Sequence, residues 1–122
     1  MSLIEKSLVE LAEDVFSEKY EVISTPQKFK GKSGKTWTFD ALVRDGEFGR
    51  YGIFIRDWKR EISITQLRQL HKACIDVPEI EGGIMLTNIV SEFSREYCTQ
   101  FGLQLISKGH LISKLRNRGY HL

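Results

Sequence analysis

The stretch of sequence that decides the fold is residues 36–59, TWTFDALVRDGEFGRYGIFIRDWK. Residues 36–43 and 51–58 are rich in β-branched and aromatic side chains, and glycine and aspartate in residues 44–49 supply the chemistry of a turn. The pattern predicts a β-hairpin. Asp40 stands inside the first predicted strand, where an ionised carboxylate is costly unless a partner or a cation binds it. Asp40 is therefore a candidate site residue, and the alternative is that it faces solvent from an amphipathic strand.

The rest of the chain alternates between helix and strand patterns. In chain order the predicted elements are a helix at 2–19, strands at 20–25, 36–43 and 51–58, a helix from 63, a strand at 84–87, a helix from 91, a strand at 103–106 and a helix at 110–118. Residues 27–35 are predicted to be a loop. Ser2, Ser63 and Ser91 are predicted N-caps. Gln66 completes a capping box with Ser63. The order αβββαβαβα predicts an α/β fold with a mixed sheet, antiparallel at the hairpin and flanked by helices.

The composition indicates a single domain over residues 1–122. Apolar side chains make up 41% of the chain and charged side chains 28%, which suits one globular core. The net charge of +2 is too small to require a polyanionic partner by itself. Cys74 and Cys98 lack the spacing of a zinc site or a disulfide framework, and no apolar run is long enough to span a membrane. We therefore expect a cytoplasmic protein with reduced thiols and no membrane contact.

Several motifs follow one another in a set order around the hairpin. They are Asp40 in the first hairpin strand, a charged strand end with Trp58, a capped helix, and the segments GGIMLTN (82–88), SEFS (91–94) and LQLIS (103–107). Their joint order resembles the Mrr-type branch of the PD-(D/E)XK nuclease superfamily over residues 8–115. The resemblance implies a restriction-endonuclease-like fold, DNA as the ligand, and magnesium-dependent cleavage by an Asp, a Glu or Gln, and a Lys two residues after it.

Matching the family pattern to this chain exposes two departures. Asp40 matches the family Asp, and this register puts Phe54 at the Glu or Gln position and Arg56 at the Lys position. Phe54 cannot bind a cation. Arginine side chains keep their proton in proteins, so Arg56 is a poor activator of water although it can bind phosphate in a bidentate manner. An ion pair between Arg56 and Asp40 would fill the space that a metal needs.

A second register takes Asp57 and Lys59 as the family Asp-x-Lys and restores the full chemical set. Strand parity favours the first register, because it places Asp57 on the side of Ile53 and Ile55. A carboxylate from the first helix can complete such sites, and Glu5 is the candidate because it lies at the rim of the apolar stripe. The alternative for Glu5 is an exposed helix carboxylate.

Four lysines precede the hairpin at positions 28, 30, 32 and 35, and the glycines among them let the backbone approach a phosphate. We predict that the DNA backbone contacts these four lysines and also Arg60, that is, Lys28, Lys30, Lys32, Lys35 and Arg60. The alternative is a solvated, mobile loop.

Two functions remain open. In the first, the chain is a DNA-binding protein of the nuclease fold whose catalysis is weakened or lost, without a cofactor, and with DNA or another protein as partner. In the second, it is an active magnesium-dependent Mrr-like DNA endonuclease in which Asp40, Asp57 and Lys59 carry the chemistry and Asp40 and Glu5 hold Mg²⁺. The resemblance also predicts a homodimer.

Overall fold

The computed structural model of the chain describes residues 2–46 and 49–119. Its elements in chain order are a 3-10 helix Leu3–Glu5, α1 Leu8–Phe16, β1 Glu21–Ile23, β2 Gln27–Lys30, β3 Thr36–Phe39, β4 Ala41–Arg44, β5 Arg50–Arg56, α2 Ile64–Asp76, β6 Gly82–Thr87, α3 Glu92–Phe101, β7 Gln104–Ser107 and α4 Lys108–Asn117. Residues 47 and 48 of the predicted hairpin turn lie outside the described residues.

The main sheet has five strands in the order β1-β4-β5-β6-β7. β4 pairs antiparallel with β1 and with β5, whereas β5, β6 and β7 run parallel. The hairpin is thus the antiparallel part of a mixed sheet, as predicted. Because the parallel strands end together, Arg56 pairs with Thr87, and Thr87 pairs with Ser107, at one edge of the sheet. Residues that follow these strand ends are brought close to one another.

Helices cover both faces of this sheet, and each face has its own core. Leu8 and Leu11 of α1 pack with Leu111 of α4 and with Ile53 on one face. On the other face, α2 and α3 pack with Phe39, Phe54 and Met85 among others. Alternation along β5 sends neighbouring side chains to opposite cores. The α/β class and the restriction-endonuclease-like arrangement of a mixed sheet between helices are therefore confirmed.

The predicted helix over residues 2–19 is wrong at its start. Residues 3–5 form a separate 3-10 helix, Lys6 is extended, and α1 begins only at Leu8. The Ser7 hydroxyl accepts a hydrogen bond from the Glu10 amide, and the Glu10 carboxylate accepts one from the Ser7 amide. This capping box fixes the start of α1, because its side chains supply hydrogen-bond partners to amides at the helix N-terminus that have no intrahelical carbonyl. Ser2 makes no capping hydrogen bond with its side chain.

The region around Asp40 also differs from the prediction. Residues 27–30 are not part of a loop but form β2, which pairs with β3 in a separate two-stranded sheet. The predicted strand 36–43 is interrupted at Asp40, between β3 and β4. Phe39 lies in the core under α2 and α3, whereas Ala41 lies in the core under α1 and α4. Alternate residues of a regular strand share a face, so placing these two on opposite faces requires a break between them.

Cys74 and Cys98 are free thiols. Burial raises the pKa of each thiol to about 11, so both stay protonated and poorly nucleophilic at neutral pH. In the described part of the chain, no helix is both long and apolar enough to cross a membrane.

Candidate functional site

The centre of the candidate site is an ion pair at the end of β5. Arg56 Nη1 lies 3.0 Å from Asp40 Oδ2, and the same carboxylate oxygen accepts a hydrogen bond of 2.8 Å from the amide of Ile55. Arg56 Nε donates to Gln66 Oε1 of α2 at 2.8 Å. The guanidinium is therefore held by two side chains, one on each side. The structure brings together Asp40 and Arg56 as the first register predicts.

Aromatic rings line the same guanidinium. Its central carbon lies 4.8 Å from the ring centroid of Phe54 and 5.8 Å from that of Trp58. Arg60, which is exposed, lies 4.3 Å from the Trp58 ring. Cations at these distances are attracted by the negative face of an aromatic ring, most strongly by tryptophan. Arginine and aromatic side chains thus alternate from residue 54 to residue 60, and of the two arginines Arg56 lies beside Asp40.

Phe54 stands at the position where the family pattern has a Glu or Gln. Its side chain is only 5% exposed and packs on Phe39 with ring centroids 5.6 Å apart. Within residues 2–46 and 49–119, no three His, Cys, Asp or Glu side chains come close enough together to hold a metal ion. The side chains of this cluster offer one carboxylate and a guanidinium, and the guanidinium also occupies the side-chain oxygen of Gln66, so as arranged they do not fit Mg²⁺, which needs oxygen ligands and repels a cation.

Asp57, the key residue of the second register, has a different environment. Its Oδ2 accepts a hydrogen bond from the amide of Leu8 at 3.4 Å, and its Oδ1 accepts one from Asn88 Nδ2 at 2.8 Å. Leu8 belongs to the α1 face of the sheet, whereas Gln66, which binds Arg56, belongs to α2 on the other face. Asp57 therefore lies at the positive end of the α1 dipole, where a carboxylate stabilises the helix.

Lys59 and Glu5 are both exposed, and Glu5 lies on the 3-10 helix rather than on α1. Among the described residues, no hydrogen bond or ion pair joins either side chain to Asp40. Asp57 thus binds the start of α1, Glu5 lies on the 3-10 helix, and among the described contacts neither these two residues nor Lys59 bonds to Asp40.

The predicted lysine loop is largely an ordered hairpin of β2 and β3. Lys28 and Lys30 are exposed on its outer face, opposite Thr38 and Thr36. The inner face carries Trp37 and Phe39, which are buried, and Phe29, whose ring centroid is 6.0 Å from that of Phe39. Alternation along β2 therefore separates the charges from the aromatic anchors, and it directs two lysines outward side by side.

The turn of this hairpin is fastened to the end of α2 by Asp76. The Asp76 carboxylate accepts hydrogen bonds from the Ser33 hydroxyl at 2.6 Å, from Trp37 Nε1 at 2.8 Å and from the Ser33 amide at 2.9 Å. The Lys32 amide donates to the Asp76 carbonyl oxygen at 2.8 Å. A Cβ atom at Gly31 would collide with the Asp76 carboxylate, so only glycine fits there. Lys32 and Lys35 thus extend from an anchored turn.

The hydrogen bonds to Asp76 predict how the stability of the fold depends on pH. The Ser33 hydroxyl, the Trp37 indole and the Ser33 amide together lower the pKa of Asp76 from its ordinary value. A carboxylate with a lowered pKa in the folded state stabilises the fold above its unfolded pKa of about 3.9, and this contribution is lost as the pH falls further. We expect Asp76→Asn to reduce the dependence of stability on pH below about pH 4. Urea unfolding at several pH values measures this, and Asp45→Asn, at an exposed turn carboxylate, is the control.

Sequence reasoning missed two residues of this region. Gln66 was expected to complete a capping box with Ser63, but Ser63 makes no capping hydrogen bond with its side chain, and the Gln66 amide group binds Arg56 instead. Asp76 was not singled out at all. Its partners Ser33 and Trp37 are about 40 positions away in sequence, at separations of 43 and 39, and no local pattern marks such a contact.

Comparisons with known proteins support the fold. No protein-family model matches the sequence, and no curated protein matches it. The structure is similar to a crystal structure of a protein of unknown function, AF1548, with a TM-score of 0.71 and 16% identity over 92% of this chain and 66% of that chain. It is also similar to protein VC1899 from Vibrio cholerae, with a TM-score of 0.59 and 10% identity over 91% of this chain and 30% of that chain.

A third similar structure is EndoMS in its apo form, a PD-(D/E)XK-type nuclease, with a TM-score of 0.52 and 20% identity over 84% of this chain and 46% of that chain. This chain therefore has a nuclease-like fold and spans less than two thirds of the length of each of these proteins.

Proposed function

We propose that this protein binds DNA through its nuclease-like domain and that its catalytic chemistry is weakened or lost. The observation that carries the proposal is the Arg56 guanidinium, which lies 3.0 Å from Asp40 in the position where the family pattern requires a lysine. The pair neutralises the one carboxylate that the first register offers to a metal. An Mrr-type origin of the domain and a homodimer remain predictions.

The chemistry of the three key side chains supports a loss of catalysis. Arginine holds its proton at every pH that a protein tolerates, so Arg56 cannot activate water as a general base. Phe54 contributes a hydrocarbon ring where an oxygen ligand is needed. Asp40 Oδ2 already accepts hydrogen bonds from Ile55 and Arg56. Activity would require Arg56 to leave this carboxylate, and both Gln66 and the aromatic rings hold it in place.

The same features support binding of a phosphate backbone. A guanidinium donates paired hydrogen bonds to a phosphate, and the side chain of Arg56 remains 21% exposed. Lys28 and Lys30 project from the outer face of the β2–β3 hairpin, and Arg60 extends the arginine and aromatic series. Lysine and arginine contacts to phosphates give affinity without reading bases. The proposed ligand is therefore DNA recognised mainly through its backbone.

Replacing Phe54 and Arg56 by the side chains of the family pattern tests the proposal. We expect the wild type to leave supercoiled plasmid and branched DNA uncut in Mg²⁺ or Mn²⁺, because Arg56 occupies the place of the metal. We expect Phe54→Gln with Arg56→Lys to gain metal-dependent cleavage, which gel electrophoresis would detect. Adding Asp40→Ala to this double variant should abolish the gain. Since Phe54 is buried, circular dichroism and urea unfolding must show that the double variant is folded.

Cleavage by the wild type that Asp40→Ala removes would instead establish the second function, an active magnesium-dependent endonuclease. In that case Asp57→Ala and Lys59→Ala would be informative, because the second register requires both. If only Asp40 mattered, the first register would hold with Arg56 displaced by the metal.

A further inference from the structure

A second candidate site lies on the other face of the sheet, away from the Asp40–Arg56 pair. It is a cleft with a volume of about 510 Å³ between the end of α1, the helix α4 and the strands beneath them. Val43, Ile84 and Ile106 contribute an apolar floor. Tyr51 and Gln104, at the beginnings of the parallel strands, line it as well, whereas Arg56 lies where these strands end. Its volume lies within the range of small-molecule sites, and its lining combines apolar and polar side chains.

The rim of the cleft is positively charged. Lys19, Lys114 and Arg118 line it together with His110, and Asp45 is the one carboxylate among the described lining residues. Lys19, in the turn after α1, and Lys114, on α4, are both exposed, so both ammonium groups can turn toward a ligand. Three permanent cations against one carboxylate favour an anionic ligand, and low-dielectric walls strengthen that attraction.

Arg118 joins the two helices at one end of the cleft. Its Nη1 donates to the carbonyl oxygen of Val15 at 3.0 Å, and its Nε lies 3.0 Å from Glu18 Oε2. These bonds tie the end of α4 to the end of α1. Glu18 also offsets part of the charge of Arg118, so the net attraction for an anion falls mainly on Lys19 and Lys114.

Aromatic side chains provide flat surfaces in the same cleft. Phe16, Tyr20 and Tyr51 all line it. The ring of Tyr51 lies against Gly82, where an added Cβ atom would be 3.1 Å and 3.2 Å from two of its carbons. Gly82 is also the partner of Tyr51 in the parallel pairing of β5 and β6. Because Gly82 has no side chain, the ring of Tyr51 packs closely against the backbone of β6. This contact fixes the orientation of the ring, so that a planar group can stack on it.

We propose that this cleft binds a nucleoside monophosphate group, with the base against the aromatic rings and the phosphate between Lys19 and Lys114. The apolar floor and flat rings disfavour bare inorganic phosphate, since they would stay uncovered. The cationic rim disfavours a neutral nucleoside or a purely apolar ligand. The group can belong to a free nucleotide or to the 5′ end of a DNA strand, because both present the same base, sugar and phosphate. The site is separate from the lysine hairpin, so it does not depend on the proposed function.

Calorimetric titration of the full chain with adenosine monophosphate tests this proposal. We expect saturable binding of adenosine monophosphate. Adenosine and inorganic phosphate should each bind with an affinity lower by about tenfold or more, because each lacks half of the contacts. Lys114→Ala is expected to weaken binding by about tenfold. Arg116→Ala is the matched control, since Arg116 lies on the same last turn of α4 but does not line the cleft. It should leave binding unchanged.

Three outcomes would overturn the proposal: no saturable binding of adenosine monophosphate, equal binding of adenosine, or equal losses in the Lys114 and Arg116 variants. Competition experiments then distinguish a free nucleotide from the 5′ end of a DNA strand as the ligand. A 5′-phosphorylated oligonucleotide that displaces adenosine monophosphate better than its 5′-hydroxyl counterpart supports the site with a strand end as ligand. Equal and weak displacement by both supports the site with a free nucleotide as ligand. Chemical-shift changes at Tyr51, rather than at Trp37 or Trp58, would locate either ligand in the cleft.

Discussion

Replacing Phe39 by alanine is expected to lower the free energy of unfolding by about 3–5 kcal/mol. The side chain has 0% exposure, and its ring lies 6.0 Å from that of Phe29 and 5.6 Å from that of Phe54. It also lies against Gly52, where a Cβ atom would collide with the ring. Removing the ring leaves a cavity walled by other aromatic groups that cannot all move in to fill it. Typical domains have only about 5–15 kcal/mol of stability, so the loss is a large part of the total.

Phe93→Ala is the matched control for this prediction. The chemical change is the same, but Phe93 is 63% exposed on α3, so its replacement should change stability by about 0.5 kcal/mol or less. Urea unfolding followed by circular dichroism gives both values by linear extrapolation. If Phe39→Ala does not fold, Phe39→Leu should still lose more than Phe93→Ala. Equal losses at the two positions would contradict the packing described for Phe39.

The second large effect is expected on DNA affinity. Lys28→Ala with Lys30→Ala removes two cations from the outer face of the β2–β3 hairpin. Each phosphate contact adds about 0.9 to the slope of log affinity against log salt, so losing two should reduce the slope by about 2. At moderate salt the affinity should fall by about tenfold or more. Fluorescence anisotropy with a labelled duplex, repeated between about 50 and 200 mM salt, measures both quantities.

The control for the DNA experiment removes the same amount of charge elsewhere. Arg95 and Arg116 are exposed on α3 and α4, away from the β2–β3 hairpin. Their double replacement by alanine should leave the salt slope nearly unchanged. If both double variants lose the same affinity, net charge alone controls binding and the hairpin is not a DNA-contacting surface. If neither changes, the DNA contact lies elsewhere on the protein.

Much of the fold followed from local patterns. The period of two appears in the structure along residues 51–56 of the predicted strand 51–58, which ends two residues early, and the capped helix at Ser91 appears as well, because strand alternation and N-capping act over a few residues. The break at Asp40 could not be predicted in the same way. It exists because Phe39 and Ala41 belong to opposite cores, and which core a residue joins depends on packing across the sheet.

The residues of the candidate site also differ in whether the local sequence predicts their contacts. The Asp40–Arg56 pair could be foreseen, since both residues lie on one hairpin and parity selects Arg56 over Asp57. Gln66 and Asp76 could not, because each acts on a partner from another element. Glu5 was misplaced for a local reason. The Ser7 to Glu10 capping box ends the helix before it reaches Glu5, and it outweighs the apolar period on which the assignment rested.

Both cationic elements of the proposed DNA surface are attached to the single helix α2. Gln66 in its first turn holds Arg56, and Asp76 at its end holds the turn that carries Lys32 and Lys35. With a rise of about 1.5 Å per residue, these two attachment points are separated by roughly 15 Å along a rigid axis. The phosphates of one strand of duplex DNA are spaced by about 3.4 Å along the axis. The distance between the two attachment points on α2 therefore equals roughly four phosphate spacings. If the surface binds DNA as proposed, we expect the length of α2 to set the spacing between its two groups of cations.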